Sequence, residues 1–454
     1  MLDVRTLTHS HPRAEMATGS TGGRHVAART RAGQRLHQRA RHALGLRQQL
    51  NPEPPQRVVL SYGLGADLTA VLLRWLTEPA SRDFALDELV VITAMTGHEW
   101  ADTGRDVEQH VLPLLRHHRV RYVQVARAQL LTTKAGDGIV VLDDSRRPER
   151  VHLAGAYRLS DELTAAGTIP QSGGDRRCSL RAKGAVLDPV IAALTDGQPY
   201  RHVVGFEAEE LTRAYGTPRR KGDAAHNTAT RTGQYPLIDW RWNRQDCLDY
   251  IASVTGGVLW EKSACSYCPF ALANREGRAR VLQRMAAEPA AAIEPLMLEH
   301  RAIALNPAQG LIGGRRLIDL LLAEQLHHVV ESFTAAREEQ EHVVYEVRRI
   351  LRPSEKNPDK LGNAARSLRI LDRGSATQMR RALHRLARQR GAQLDRSDTI
   401  TRAWLHRRGE TLPSYEQFLV AAPAGAVAKQ DANFEVWWAQ IASRATEQGV
   451  GLSN

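Results

Sequence analysis

The feature that most constrains the fold is an apolar strand, Arg57 to Ser61, that runs through a glycine turn, Tyr62-Gly-Leu-Gly-Ala66, into an amphipathic helix over Leu68 to Leu76. Strand, glycine turn and helix in that order open a parallel βαβ layer, because a parallel neighbour is reached only by a crossover. The alternation continues. Spacing predicts strands over Glu88 to Thr93 and Val120 to Val125 with a helix over Asp102 to His117 between them. It also predicts a strand at His202 to Gly205, a strand-like Tyr235-Pro-Leu-Ile-Asp-Trp240 and a helix over Asn243 to Val254. The fold class is therefore α/β with a parallel sheet. From about Arg275 the apolar positions recur at helical spacing, as in Leu317, Leu320, Leu321 and Val344, Val347, Leu351. That periodicity predicts a mainly helical C-terminal region over 276–454. The run Asn51-Pro-Glu-Pro-Pro55 sets off residues 1–56, rich in Arg, His, Gly, Ser and Thr, as a basic tail expected to be disordered, with a helix from Arg29 to Leu50 at most.

Charge separates these three parts. The chain of 454 residues carries a net +12. Residues 1–57 contribute +7, residues 341–410 contribute +9, the 283 residues between them are slightly acidic at −2, and the last 44 residues contribute −2. Arginine outnumbers lysine 55 to seven, which a GC-rich coding sequence also produces; it does not explain why acids are scarce in the flanks. The spacing of Arg381, Arg385 and Arg388 puts three guanidinium groups on one helix face, with Arg348, Arg349, Arg352, Arg380 and Arg390 nearby. Such a stripe is either a solvated face or a track for phosphates, so tRNA or DNA is the partner the flanks suggest. No apolar run approaches a membrane span and no secretory h-region opens the chain, so the expected setting is cytoplasmic, with no membrane partner. Four cysteines in this length then read as thiols or metal ligands and not as a disulfide framework.

The turn Ser61-Tyr-Gly-Leu-Gly-Ala-Asp-Leu-Thr-Ala70 can hold an anion, since backbone N–H groups converge there at a helix N-terminus. It is no Walker loop, and an ordinary tight βα turn is the alternative. Its wording resembles the PP-loop, Ser-x-Ser-Gly-Gly-x-Asp-Ser, of the adenine nucleotide alpha hydrolase superfamily, in particular the phosphoadenosine phosphosulfate (PAPS) reductase-like branch. Further segments resemble that branch in the same order: Thr96-Gly-His-Glu-Trp-Ala-Asp-Thr103, Arg177-Cys-Ser-Leu-Arg-Ala-Lys183 with Asp188-Pro189, and Tyr235-Pro-Leu followed by Cys265-Ser-Tyr-Cys268. The resemblance spans about 57–275 and implies a Rossmann-like parallel sheet of the PP-loop type. Three positions depart from the pattern: Gly63 for the second Ser, Leu64 for the first Gly and Leu68 for the final Ser.

The resemblance implies ATP or a related adenine nucleotide as ligand, Mg²⁺ with it, and attack of a substrate oxygen on the α-phosphate with release of pyrophosphate. On that reading Ser61, Gly63, Gly65, Asp67 and Thr69 cradle phosphate, Asp67 and Thr69 carry the catalytic roles, and Thr96 and Gly97 lie at the end of the next strand. Arg213, in Gly205-Phe-Glu-Ala-Glu-Glu-Leu-Thr-Arg213, reaches a phosphate or belongs to a solvated helix face. Cys178, Cys265 and Cys268 match three of the four cysteines that hold a [4Fe–4S] cluster in adenylylsulfate reductases; Arg177 stands in place of the fourth. Three ligands on four irons leave one open, as in related tRNA thiolases, and imply sulfur transfer from a sulfur donor. A Zn²⁺ site and free thiols are the other readings of the same residues. Cys247, on an amphipathic helix, reads as buried. A sulfonucleotide reductase of this branch needs a cysteine beyond Cys268, and the sequence has none there. A nucleotide-binding module without turnover is the third possibility, consistent with Leu68.

Overall fold

The computed structural model describes residues 45–170, 177–313, 315–362, 364–396 and 400–447. Most of the expected tail, residues 1–44, lies outside the described residues. The stretch from Gly45 to Gln56 is not a tail: a short helix, Leu46–Gln49, buries Leu46 and Gln49, and Asn51 donates its N–H to Asp144.

Eight strands belong to the first half of the chain: β1 (Val58–Ser61), β2 (Leu89–Met95), β3 (Arg121–Arg127), β4 (Ile139–Ser145), β5 (Tyr200–Val203), a small hairpin of β6 (Gly216–Thr217) and β7 (Arg220–Lys221), and β8 (Arg231–Gln234). Six of them form one sheet in the order β4-β3-β2-β1-β5-β8. Every pairing in it is parallel except β3 with β4. The sheet is therefore mixed, with an antiparallel edge strand that the spacing of β-rich runs does not reveal. Both faces of the sheet are covered. Val58 and Leu60 pack under α1 (Ala66–Thr77), the rod over 101–117 and α2 (Arg244–Thr255), while Val59 faces the helix Ala185–Thr195. Such strands read as unbroken apolar runs and not as alternation. The rod over 101–117 carries a π turn at Val107–Val111. Tyr235-Pro-Leu-Ile-Asp-Trp240 is not a strand: it follows β8 as the short helix Pro236–Asp239, with proline at its first turn, where a missing N–H costs nothing.

The C-terminal region is built of helices alone as far as Glu338, through Arg275–Ala287, α3 (Pro289–Leu305), Leu317–Ala323 and His327–Glu338, and beyond it keeps two more, Ala376–Gln389 and Phe434–Glu447. It then becomes a five-stranded antiparallel sheet: β9 (His342–Leu351), β10 (Ala365–Gly374), β11 (Gln393–Asp395), β12 (Arg402–His406) and β13 (Ser414–Pro423), ordered β10-β9-β13-β12-β11. This corrects the helical expectation for 341–351. Val343, Tyr345 and Val347 face the end of α3, whereas Val344 faces α4 (Ala376–Gln389). A strand buried on both sides satisfies a helical spacing by accident. No described helix is long and apolar enough to cross a membrane.

The arginine stripe does form on α4, and neighbouring acids take up Arg385 of the stripe together with the flanking Arg380 and Arg390. Arg380 pairs with Glu338 at 2.8 Å, Arg390 with Glu346 at 2.8 Å and Arg385 with Asp372 at 3.6 Å. Arg349 is buried against Glu416, and Arg348 pairs with Glu435 beside the rings of Phe434 and Trp438. Among the described residues Arg381 and Arg388 carry no ion pair and are exposed.

Candidate functional site

Strand order reverses at β1, with β2 on one side and β5 on the other, and α/β sheets place ligands beyond the carboxyl ends of strands at such a point. A cleft of about 490 Å³, its open mouth included, lies there. Ser61, Gly63 and Leu64 line it from β1, Thr93 to Gly97 from β2 and Gln124 from β3, with Glu99, His152 and Lys183 on its walls. Of the residues expected from the sequence, the cleft brings together Ser61, Gly63, Thr96 and Gly97.

The loop is held from behind. Leu64 stands where the PP-loop pattern that the turn resembles has glycine, and it takes the left-handed φ of +61° that glycine would supply. That conformation costs a leucine about 1 to 2 kcal/mol. Burial of its side chain, 5% exposed, offsets it. Trp260 Nε1 donates to the Leu64 carbonyl at 3.1 Å, and Ser263 Oγ donates to the Gly63 carbonyl at 2.5 Å. Gly65 caps α1 with extended backbone, and no side chain caps that helix.

Four expected residues lie elsewhere. Thr69 is a correction: its side chain is buried, its hydroxyl donates to the Gly65 carbonyl at 2.8 Å and accepts from Tyr62 at 2.9 Å, so nothing is left for a phosphate. Leu68, one position earlier, packs against Gly205. Asp67 points away from the cleft to Arg244 at 3.1 Å; burial pushes its carboxyl up, and Arg244 opposes this. Arg213 pairs with Glu210 and lies 4.5 Å from the ring centre of Phe206, so it does not line the cleft. Gly65 does not line it either.

The cysteines are adjacent to this cleft. Residues 98 and 99, just past β2, pair with the CxxC segment: Glu99 bridges Cys265, Ser266 N–H donates to the His98 carbonyl at 2.9 Å, and Ala264 N–H donates to Glu99 Oε1 at 2.7 Å. Cys178, Cys265 and Cys268 share one apolar cluster. Cys178 and Lys183 lie on one helical stretch, 177–184, so the same turns that bring a thiol to the cluster bring a cation to the cleft. The Cys265 thiol, hydrogen-bonded to Cys268, holds its proton, and Cys268 is drawn down to about 6 by that bond. Burial pushes Cys178 up. Among the described residues no set of three or more His, Cys, Asp or Glu is arranged to hold a metal ion as it stands. Cys247 is fully buried and pushed up to about 12 by burial.

Sequence reasoning missed Glu99, Gln124, Lys183 and His202. Glu99 and Lys183 belong to segments that carry the family resemblance, and His202 is a polar residue in an apolar strand. Ser61 Oγ lies 2.7 Å from His202 Nε2. Burial, with Arg231, pushes His202 down to about 4, and burial, with Arg158, does the same to His98. Both are neutral in the folded protein near pH 5, whereas an unfolded histidine takes up its proton below about 6.5. Stability therefore falls as pH drops from about 6.5 towards 4, by up to about 3 kcal/mol for each histidine. Urea denaturation midpoints across that range measure it, and His202→Gln removes the share due to His202.

No protein-family model, curated protein or solved structure matches this chain.

Proposed function

We propose that the chain is a PP-loop protein of the PAPS reductase-like type that binds ATP in the cleft, adenylates a substrate with release of pyrophosphate, and serves sulfur transfer through Cys178, Cys265 and Cys268. The observation that carries this reading is the junction at Glu99, where the wall of a cleft at the carboxyl ends of β1 and β2 is also the strand partner of Cys265. Ser61 and Thr96 offer hydroxyls and Lys183 a positive charge to a polyphosphate, with Gly63 leaving the backbone approachable. Burial pushes the Glu99 carboxyl above its usual range, and Lys183 opposes this.

The donor set is three thiols, which iron–sulfur clusters and zinc both accept as ligands. Tyr267 is fully buried, and its hydroxyl has no hydrogen-bond partner among the described residues. An acceptor is therefore missing beside the thiols. Cys178, Cys265 and Cys268 would hold a [4Fe–4S] group, which supplies an open iron for sulfide when bound. Mg²⁺ belongs to the nucleotide in this proposal, and the acceptor is a nucleic acid attracted by the basic flanks, Arg381 and Arg388 among them.

Pyrophosphate release from ATP by the purified full chain, with and without tRNA or DNA, tests the reading. Release above background is expected, and Lys183→Met should weaken ATP binding on the order of tenfold or more through loss of a charge-assisted contact. Iron and zinc analysis of anaerobically purified protein checks the thiol site; about four irons support the cluster and one zinc removes it. Tight ATP binding with no pyrophosphate under any condition favours a binding module instead. Leu68 and the buried Thr69 hydroxyl, which leave the first turn of α1 without a side-chain donor, point that way.

A further inference from the structure

A chain of side-chain hydrogen bonds runs across the sheet at the strand-order reversal, from Ser61 on β1 through His202 on β5 to Arg231 on β8. Ser61 Oγ is 2.7 Å from His202 Nε2. Arg231 Nε is 3.1 Å from His202 Nδ1, and Arg231 Nη2 lies 3.0 and 2.8 Å from the two carboxylate oxygens of Asp223. Tyr235 donates its hydroxyl to Asp223 at 2.8 Å.

The direction of each bond follows from chemistry. A guanidinium has donors only, so His202 Nδ1 must accept from Arg231 and carries no proton. A neutral ring with a bare Nδ1 has its proton on Nε2, and that N–H donates to Ser61 Oγ. A cationic ring would set its Nδ1–H against the Arg231 N–H, which disfavours it. The Ser61 oxygen, already accepting, keeps its own hydrogen to donate, and Ser61 lines the cleft. His202 has no lone pair facing Ser61, so Ser61 is not primed as a nucleophile. The groups facing His202 are Ser61, Arg231, Asp223 and the ring of Tyr200, with Asp188 of the covering helix acting on Arg231 and Tyr200.

We propose that His202 is a positioning residue: fixed in its Nε2–H form by the Arg231–Asp223 pair, it holds Ser61 as a hydrogen-bond donor aimed at an anionic oxygen of the ligand in the cleft. The ligand half of this rests on the nucleotide reading of that cleft. The tautomer half does not.

Nitrogen NMR of the ¹⁵N-labelled full chain without ligand reads the tautomer directly. The His202 ring is expected to show a protonated Nε2 and a bare Nδ1, unchanged between pH 7.5 and 5.5. Calorimetric titration with ATP and with inorganic pyrophosphate then compares the parent with S61A, H202A, H202Q and S61A/H202A. S61A and H202A should each weaken binding on the order of tenfold, and the double variant little further, because both remove one donor. H202Q, whose terminal amide N–H can reach Ser61, should restore affinity to within about threefold of the parent. A ring protonated on Nδ1, a ring that titrates near 6.5, or strictly additive losses in the double variant overturns the proposal. A locked tautomer in a parent that binds neither ATP nor pyrophosphate overturns the nucleotide reading and leaves the Ser61 donor established.

Discussion

Replacing Arg121 by alanine is expected to destabilise the protein by about 3 to 5 kcal/mol, because it strands a buried carboxylate. Arg121, 2% exposed, meets Asp144 with two bonds, Nε to Oδ1 at 2.8 Å and Nη2 to Oδ2 at 2.7 Å, and donates to the Asn51 carbonyl at 2.9 Å. Asn51 returns its backbone N–H to Asp144 at 2.6 Å, and Glu53 stands 3.8 Å from Arg121 while gripping Arg146 at 2.6 Å. The network joins the antiparallel edge strand β4 to β3 and to the segment that leads into β1. Without the guanidinium, Asp144 must either stay charged in an apolar setting or take up a proton. Urea denaturation followed by circular dichroism measures the loss. Replacing both partners, as Arg121→Met with Asp144→Leu, should cost clearly less than Arg121→Ala alone, since no charge is then left unpaired. A single variant as stable as the parent would show that the pair contributes nothing to holding β4.

Gly97→Ala is expected to cost about 2 to 4 kcal/mol and to remove ligand binding together with it. Gly97 has φ of +101°, where a side chain is strained, and an added Cβ would sit 2.5 Å from Arg158 Cγ and 2.6 Å from Arg158 Cβ. Those atoms are the rooted end of the side chain and cannot swing aside. Arg158 caps the helix Leu159–Ala166, its N–H bonded to Asp161 at 2.8 Å, and Leu159 N–H donates to the Thr96 carbonyl at 3.0 Å. His98 holds Ser160 of the same helix at 2.7 Å. Moving Arg158 therefore moves the floor of the cleft, Thr96 to His98, and with it Glu99 and the CxxC partner segment. Thermal melting and titration with ATP, run on the same preparations, check both effects. Normal binding in a variant that has lost stability would separate the cleft floor from this helix.

The βα alternation of the first half was legible because it rests on local spacing. The strand and helix around the glycine loop, β2, β3, β5 and α2 were each within a few residues of their observed limits. The strand β4 escaped because Ile139 to Leu142 is a short apolar run beside two aspartates, and only its pairing with β3 makes it a strand. The second sheet escaped for a related reason: residues of β9 touch α3 on one side and α4 on the other, so no polar face marks the period of two. In the candidate site, Ser61, Gly63, Thr96 and Gly97 could be read from motif position at strand ends. Thr69 could not, since one position along a helix turns a side chain by about 100° and here sends it into the core.

By itself, then, the sequence determined an α/β core with a glycine turn at the end of its first strand, the neutral balance of that core, and which thiols were candidates for one site. The first two are properties of residue type and spacing along the chain; the third is what the resemblance implied. Only the tertiary structure decided that Glu99 joins the cleft to Cys265, that Lys183 lines the cleft, that Arg231 selects the tautomer of His202, and that Arg380, Arg385 and Arg390 are matched by Glu338, Asp372 and Glu346 while Arg381 and Arg388 are not. Each of these depends on a partner tens of residues away, and hydrogen bonds and ion pairs act over a few ångströms of space whatever the distance along the chain.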